Sequence, residues 1–260
     1  MNRREFLARA GTAAAGLTLA GRARLTAGTA DPRWREFEIT THVRVMETHG
    51  ATRVWLPTPL AIAPYQHTMG DNYHPGSGTA AMIETNANEP DMLGCVWDED
   101  VEASVTLVSR VAMIDYAVAI PDAVEVERAR MIFDEVRDNI TFARRCRETG
   151  LRARNVYGLR LISADATRSQ HVRAELFLAG SGWVPVDAEQ RRFGSWGADW
   201  VAYNFANSVR LRGSSREPLD YFMYPQGETA EGPVNSLDPE HFKYSIAVQE
   251  ATAATPRPAN

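Results

Sequence analysis

The chain has 260 residues, 44% of them hydrophobic and 23% charged, an ordinary globular composition that excludes a disordered class and leaves room for one generous domain or two small ones. A formal net charge of −5 offers no basic surface to a nucleic-acid backbone, and with no nucleic-acid-binding motif present that class is set aside. Two cysteines cannot make a disulfide framework, although a single bridge between Cys95 and Cys146 stays open.

Residues 1–30, MNRREFLARAGTAAAGLTLAGRARLTAGTA, place Arg3 and Arg4 before Phe6 and Leu7. A weakly apolar run follows from Ala8 to Ala20, and the segment ends on Ala27-Gly28-Thr29-Ala30. A charged start, an apolar stretch and a small-residue end in that order form an export signal, and this one resembles the twin-arginine type. The apolar run is too short and too mild for a stable membrane span. The expectation is a signal removed after residue 30, the twin-arginine export machinery as a partner, and a mature protein that is periplasmic or secreted.

From Trp34 to about Ala117 the pattern is that of strands. FEITTHVRVME alternates, ATRVWLPTPL follows, and VEASVTLVSRVAMIDYAV alternates again, which predicts an antiparallel β-rich domain over residues 31–119. Residues 61–89, containing PYQHTMGDNYHPGSG, are polar and turn-rich and read as a long connection around one or two short strands. His67, Asp71 and His74 share that segment, but neither their spacing nor the residue set fits a zinc arrangement, so no metal and no cofactor is expected. Cys95, in MLGCVWDED, reads as a small buried residue.

After Ile120-Pro121, Asp122 offers a helix cap, and Val126, Ala129, Ile132, Phe133, Val136 and Ile140 recur at helical spacing. One long helix up to Phe142 is predicted, with Glu125, Glu127, Arg128 and Arg130 on its solvated face. A second, short helix through ARRCRETG ends near Thr149-Gly150, and a strand follows from Val156 to Ile162. QHVRAELFLAGSGWVPVDAEQ, residues 170–190, reads as a hairpin with His171 opening its first strand and Asp187 closing its second. Trp183 within it reads as a core anchor. Residues 191–235 are loop-rich, with aromatic residues that pin the loop to the core. HFKYSIAVQE is the last strand, and residues 251–260 form a tail disordered by composition.

A catalytic histidine needs a partner that fixes its tautomer and steadies its imidazolium, and Asp187 is placed to serve His171 in this way. Both numbers are odd. A hairpin register whose paired numbers sum to an even value sets the two side chains on one face, whereas an odd sum splits them. The AGSG turn fits either.

RARNVYGLRL followed by HVRAELFLAGSGWVPVDAE is similar to the transglutaminase-like superfamily, which shares a Cys-His-Asp plan with papain-like cysteine peptidases. The resemblance implies an α+β fold: the N-terminal antiparallel β domain, then a transglutaminase-like (papain-like) α+β domain over residues 120–250 with a shortened helical part. It also implies His171 and Asp187 as catalytic residues, thiol-dependent acyl transfer or amide and peptide hydrolysis as the chemistry, and a protein or peptide as substrate or ligand. The family's nucleophile stands at a helix start, in a Gly-x-Cys setting well before the position of Arg154. No such segment exists here, because the chain passes from Phe142 almost directly into ARRCRETGLRAR.

Cys146 is the remaining candidate. Arg144, Arg145 and Arg147 around it favour a thiolate. Its place four residues before Gly150, however, puts it at a helix C-terminus, where the dipole opposes negative charge, and the absent block would have supplied the oxyanion donors. Three readings follow: an exported cysteine acyltransferase or amidohydrolase, a non-catalytic binding or scaffold domain of the envelope, and an enzyme impaired by a deletion. The missing segment favours an inactive chain.

Overall fold

The computed structural model describes residues 34–46, 50–85, 90–99, 101–205 and 208–251. The expected export signal and all but the first residue of the expected tail lie outside the described residues. β1 (Arg35–Val45) buries Phe37, Ile39, Thr41, Val43 and Val45, the two-residue period of a strand with one covered face. It pairs antiparallel with β7 (Ser104–Met113) and with β17 (Phe242–Glu250). β4 (Gln66–His74) and β3 (Ile62–Ala63) extend this sheet to the order β17-β1-β7-β4-β3. A second sheet runs through β16 (Gly232–Val234), β15 (Gln226–Thr229), β2 (Thr52–Pro57), β6 (Met92–Trp97) and β5 (Thr79–Ile83) in that order.

The inner face of β1 serves two cores. Its second half, Val43 and Val45, packs with Val54, Leu56, Leu93, Cys95 and Trp97 of the second sheet. Its first half, Phe37 and Ile39, packs with Val156, Leu159, Trp200 and Val201. These last residues belong to a third sheet, made in order of β12 (Arg192–Phe193), β11 (Gly182–Asp187), β10 (Gln170–Leu178), β9 (Ala153–Arg160) and β14 (Trp200–Asn204). A small fourth sheet pairs β13 (Ser195–Trp196) with β8 (Tyr116–Ala117). Two helices, α1 (Val124–Glu135) and α2 (Asn139–Glu148), cover one face of the third sheet, where Phe133, Phe142 and Cys146 meet Ala174, Leu176, Val184 and Val186.

This architecture corrects the expected fold class. The chain is mostly β: among the described residues, two helices of 12 and 10 residues stand against 17 strands in four sheets, and a papain-like α+β domain with its helical part is not what forms. The predicted long helix breaks because Val136 leaves α1 in an extended conformation (φ −98°, ψ 163°) and Asp138 accepts a hydrogen bond from the Thr141 N–H at 2.7 Å. An aspartate bonded to the N–H three residues on is an N-cap that starts a new helix. The hydrophobic period crosses this cap without interruption, which is why the two helices read as one; Ile140, counted on its buried face, is 51% exposed. α1 begins after Ala123 with no side-chain cap, rather than at Asp122.

Residues 61–89 likewise hold β3, β4 and β5, with β4 nine residues long. Polar side chains on the open positions of β4 mask its period. Gln66, buried in β4, closes the free edge of β14: its amide donates to Leu60 O (2.9 Å) and Ala202 O (3.0 Å), and its carbonyl accepts from Ala202 N–H (2.8 Å). Gln66→Leu leaves that N–H without a partner and is expected to cost about 1–3 kcal/mol, readable as a lowered urea midpoint.

Candidate functional site

The β10–β11 register pairs Ala174 with Val186 and Glu175 with Pro185, an even sum, so His171, Arg173, Glu175 and Asp187 all project from one face. On the other side of β10, His171 stands opposite Gly158 and Glu175 opposite Arg154, and Arg160 follows on the same face as Gly158. The helix-covered face is apolar; this face gathers a row of buried charge. His171 is 7% exposed, Arg173 1% and Asp187 fully buried.

Asp187 is surrounded by donors. Its Oδ1 accepts from Asn139 Nδ2 (3.2 Å) and the Gln190 N–H (3.1 Å). Its Oδ2 accepts from Arg173 Nε at 3.1 Å, while His171 Nε2 lies 3.5 Å away, at the outer limit of a hydrogen bond. Burial pushes the carboxyl up, but the contacts with His171, Asn139, Gln190 and Arg173 together outweigh it and hold Asp187 well below the usual carboxylate range. The close ionic partner of this carboxylate is therefore Arg173. That guanidinium also reaches Asp199 Oδ1 at 3.0 Å and lies over the Trp200 ring at 4.9 Å. Burial draws Arg173 below its ordinary value against the pull of Asp199 and Asp187.

His171 has a second set of neighbours. One guanidinium nitrogen of Arg160 is 3.0 Å from Nδ1 and 3.2 Å from Nε2. A single atom nearly equidistant from both ring nitrogens cannot lie along either lone pair, so this Arg160 nitrogen sits over the ring face. Glu189 accepts from the same nitrogen at 3.1 Å and stands 3.6 Å from His171 Nδ1. Beside this group, Arg154 Nε donates to buried Glu175 at 2.6 Å; burial raises Glu175 although Arg154 pulls the other way. Trp183, expected as a core anchor, is half-buried, edge-on to Phe177 at 5.4 Å and with Arg154 over its ring at 4.0 Å.

Cys146 is not brought to the pair. The end of α2 that meets it is the N-terminus, where Asn139 donates to Val172 O (2.8 Å) and Asp187 and accepts from the Ala188 N–H (2.7 Å). Cys146 lies seven residues further along the helix, about 10 Å of axial rise, and its thiol has no hydrogen bond to His171 among the described residues. The neighbouring arginines expected to favour a thiolate do pull in that direction, but burial outweighs them. Burial pushes the thiol up to about 12, against the weaker pull of Arg147 and Arg145. Those arginines are held elsewhere: Arg144 by Glu148 (2.8 Å), Arg145 by Glu135 (2.6 Å), and Arg147 by the Ala153 carbonyl (3.2 Å). Cys95, buried between the first two sheets, is pushed up to about 12 by burial alone, and both cysteines are free.

His67 and His74 both fall on β4, with His67 against the Trp34 ring at 4.6 Å, and Asp71 accepts from the Ser109 hydroxyl. Among the described residues no three His, Cys, Asp or Glu side chains group as a metal site.

Sequence reasoning passed over Arg173, Asn139, Arg160 and Glu189. Arg173 was within reach of it, since the parity that unites His171 with Asp187 includes residue 173. Asn139 has no such signal, because its role depends on the helix break before it.

No family model matches this chain. An uncharacterized protein of Haemophilus influenzae is 32% identical over 149 aligned positions, which take in 41% of this chain and 40% of the relative. The chain thus spans about two fifths of the length of the curated relative it matches. In architecture the chain is similar to the crystal structure of a candidate cysteine protease from Cytophaga hutchinsonii, with a TM-score of 0.44 and 12% identity over 86% of this chain and 93% of that one. At that level the likeness leaves the fold to be read from the strands themselves.

Proposed function

We propose that this chain is a non-catalytic relative of the transglutaminase-like proteins: it keeps a His-Asp hairpin but has no nucleophile, and it acts as a binding or scaffold protein for protein or peptide ligands. One observation carries this reading. The carboxylate that would orient a catalytic histidine is the counter-ion of buried Arg173, and no thiol lies within reach of His171. Acyl transfer by this plan needs a thiolate to attack the carbonyl while the imidazole manages its proton; here the imidazole has a carboxylate and the Arg160 guanidinium for company. Export by the twin-arginine route to the periplasm or beyond belongs to the same proposal and rests on residues 1–30.

Thiol chemistry tests it. At pH 8 a thiol titrating at about 12 is thiolate in only about one molecule in ten thousand, against roughly a quarter for a free cysteine. Iodoacetamide is therefore expected to label Cys146 only through global unfolding, with His171→Ala acting on labelling no more than it acts on unfolding itself, and the purified chain to show no amidase or transamidase activity above that of Cys146→Ser. Fast labelling near pH 6 that His171→Ala abolishes, with an activity that Cys146→Ser removes, would overturn the proposal.

A further inference from the structure

Residues Val209 to Leu219 form a closed loop. Each of these two residues donates its N–H to the other's carbonyl at 2.8 Å, and Ser214 N–H returns to Leu211 O at 3.1 Å around Gly213, whose φ of +81° suits glycine. Val209 and Leu211 are buried in one cluster with Trp55, Met92 and Phe222, and the Trp55 indole N–H fixes the Arg212 carbonyl at 3.1 Å. With Val209 and Leu211 turned inward, the alternate residues Arg210 and Arg212 are exposed.

Together with Arg216 they line a groove of about 530 Å³ that also takes in Met92 and Leu211. Arg216 is half-buried and braced by Gln226 Oε1 at 3.0 Å. Arg210 and Arg212 have neither hydrogen bond nor ion pair for their guanidinium groups among the described residues. Among the described residues the one carboxylate on the groove wall is Glu84, and it pairs with none of the three. Glu228, which this loop touches, accepts from the Ser214 and Ser215 hydroxyls.

Three arginines lining one groove place local positive charge on a chain of net charge −5. Guanidinium forks match the oxygens of carboxylates and phosphates, the volume falls within the roughly 300–1,000 Å³ of small-ligand sites, and Met92 and Leu211 offer an apolar wall. We propose that this groove binds a small organic anion: a phosphate or carboxylate group held by Arg210, Arg212 and Arg216, joined to a compact apolar body.

Phenyl phosphate and benzoate share a ring and differ in the anionic head, and phenol is their neutral counterpart. In calorimetric titrations of the full mature chain, at least one of the two anions is expected to bind saturably with a Kd of about 1 mM or tighter. Its affinity should fall at least tenfold in Arg210→Gln/Arg212→Gln, while phenol binds at least tenfold more weakly than the anion. Both arginines are exposed, so the variant should keep the parent melting midpoint, and its titration then reports on the groove alone. Which anion binds identifies the head group. Saturable binding by neither anion, undiminished affinity in the double variant, or phenol binding as tightly as the anion would overturn the proposal. None of these readouts depends on the presence or absence of thiol chemistry at His171.

Discussion

Asp187→Ala is expected to cost about 3–5 kcal/mol of folding stability, because removing one partner of a buried ion pair strands the other. Arg173, 1% exposed, would keep Asp199 but lose the fully buried carboxylate at 3.1 Å, and Asn139 and the Gln190 N–H would lose their acceptor. His171→Ala removes only a neighbour at 3.5 Å and should cost less. In double-mutant cycles read from urea unfolding, the coupling of Asp187 to Arg173 should therefore exceed its coupling to His171. A larger coupling to His171 would restore a triad-like reading of the hairpin.

The acid limb of the stability curve carries the same signature. Asp187 titrates lower in the folded chain than in the unfolded one, so its contribution is complete above the unfolded carboxylate range, near pH 4, and is lost as pH falls from there through the folded value. Glu175 has the opposite sign: its carboxyl is raised in the folded chain, so its protonation in acid favours folding. Asp187→Asn should flatten the loss of stability below about pH 5, whereas Glu175→Gln should steepen it.

The hairpin was legible in the sequence because its cause is local. Small residues make the turn, apolar residues alternate on both strands, and the numbering parity of His171 and Asp187 allowed a shared face that the register then supplied. What surrounds the pair was not legible, because it is assembled from elsewhere: Asn139 arrives through a helix break hidden under a continuous hydrophobic period, Asp199 from the segment beyond β13, and Arg160 from the neighbouring strand. The fold class failed for a related reason. The resemblance pointed to a helical part that this chain does not build, while strands such as β4 and β15 carry too many polar residues for their period to stand out. Cys146 was placed correctly at the C-terminal end of its helix, yet its surroundings were misjudged, since the three arginines beside it in sequence turn outward to Glu148, Glu135 and the Ala153 carbonyl and leave burial to set the thiol.

Trp200→Ala should rival Asp187→Ala in effect, at about 3–5 kcal/mol for a large buried aromatic. Trp200 is 1% exposed, edge-on to Trp196 at 5.3 Å, and supports the Arg173 guanidinium at 4.9 Å, so its loss opens a cavity directly beneath the buried ion pair. The ring fits there because residue 158, across from His171, is glycine: a Cβ at Gly158 would come within 2.7 Å of the Trp200 ring and 2.0 Å of the Val201 carbonyl oxygen. Gly158→Ala must therefore push β14 off β9, an overpacking cost of about 1–3 kcal/mol or more. The two substitutions share a contact and should not add. Removing the ring relieves the 2.7 Å clash but not the one at 2.0 Å, because a backbone carbonyl fixed in a sheet cannot swing aside as a side chain can. The double variant should thus be less destabilised than the sum of the single ones, yet less stable than Trp200→Ala alone. Equal stability of the double variant and Trp200→Ala in urea unfolding would mean that β14 yields at Val201, and the rigid β9–β14 seam behind His171 would have to be given up.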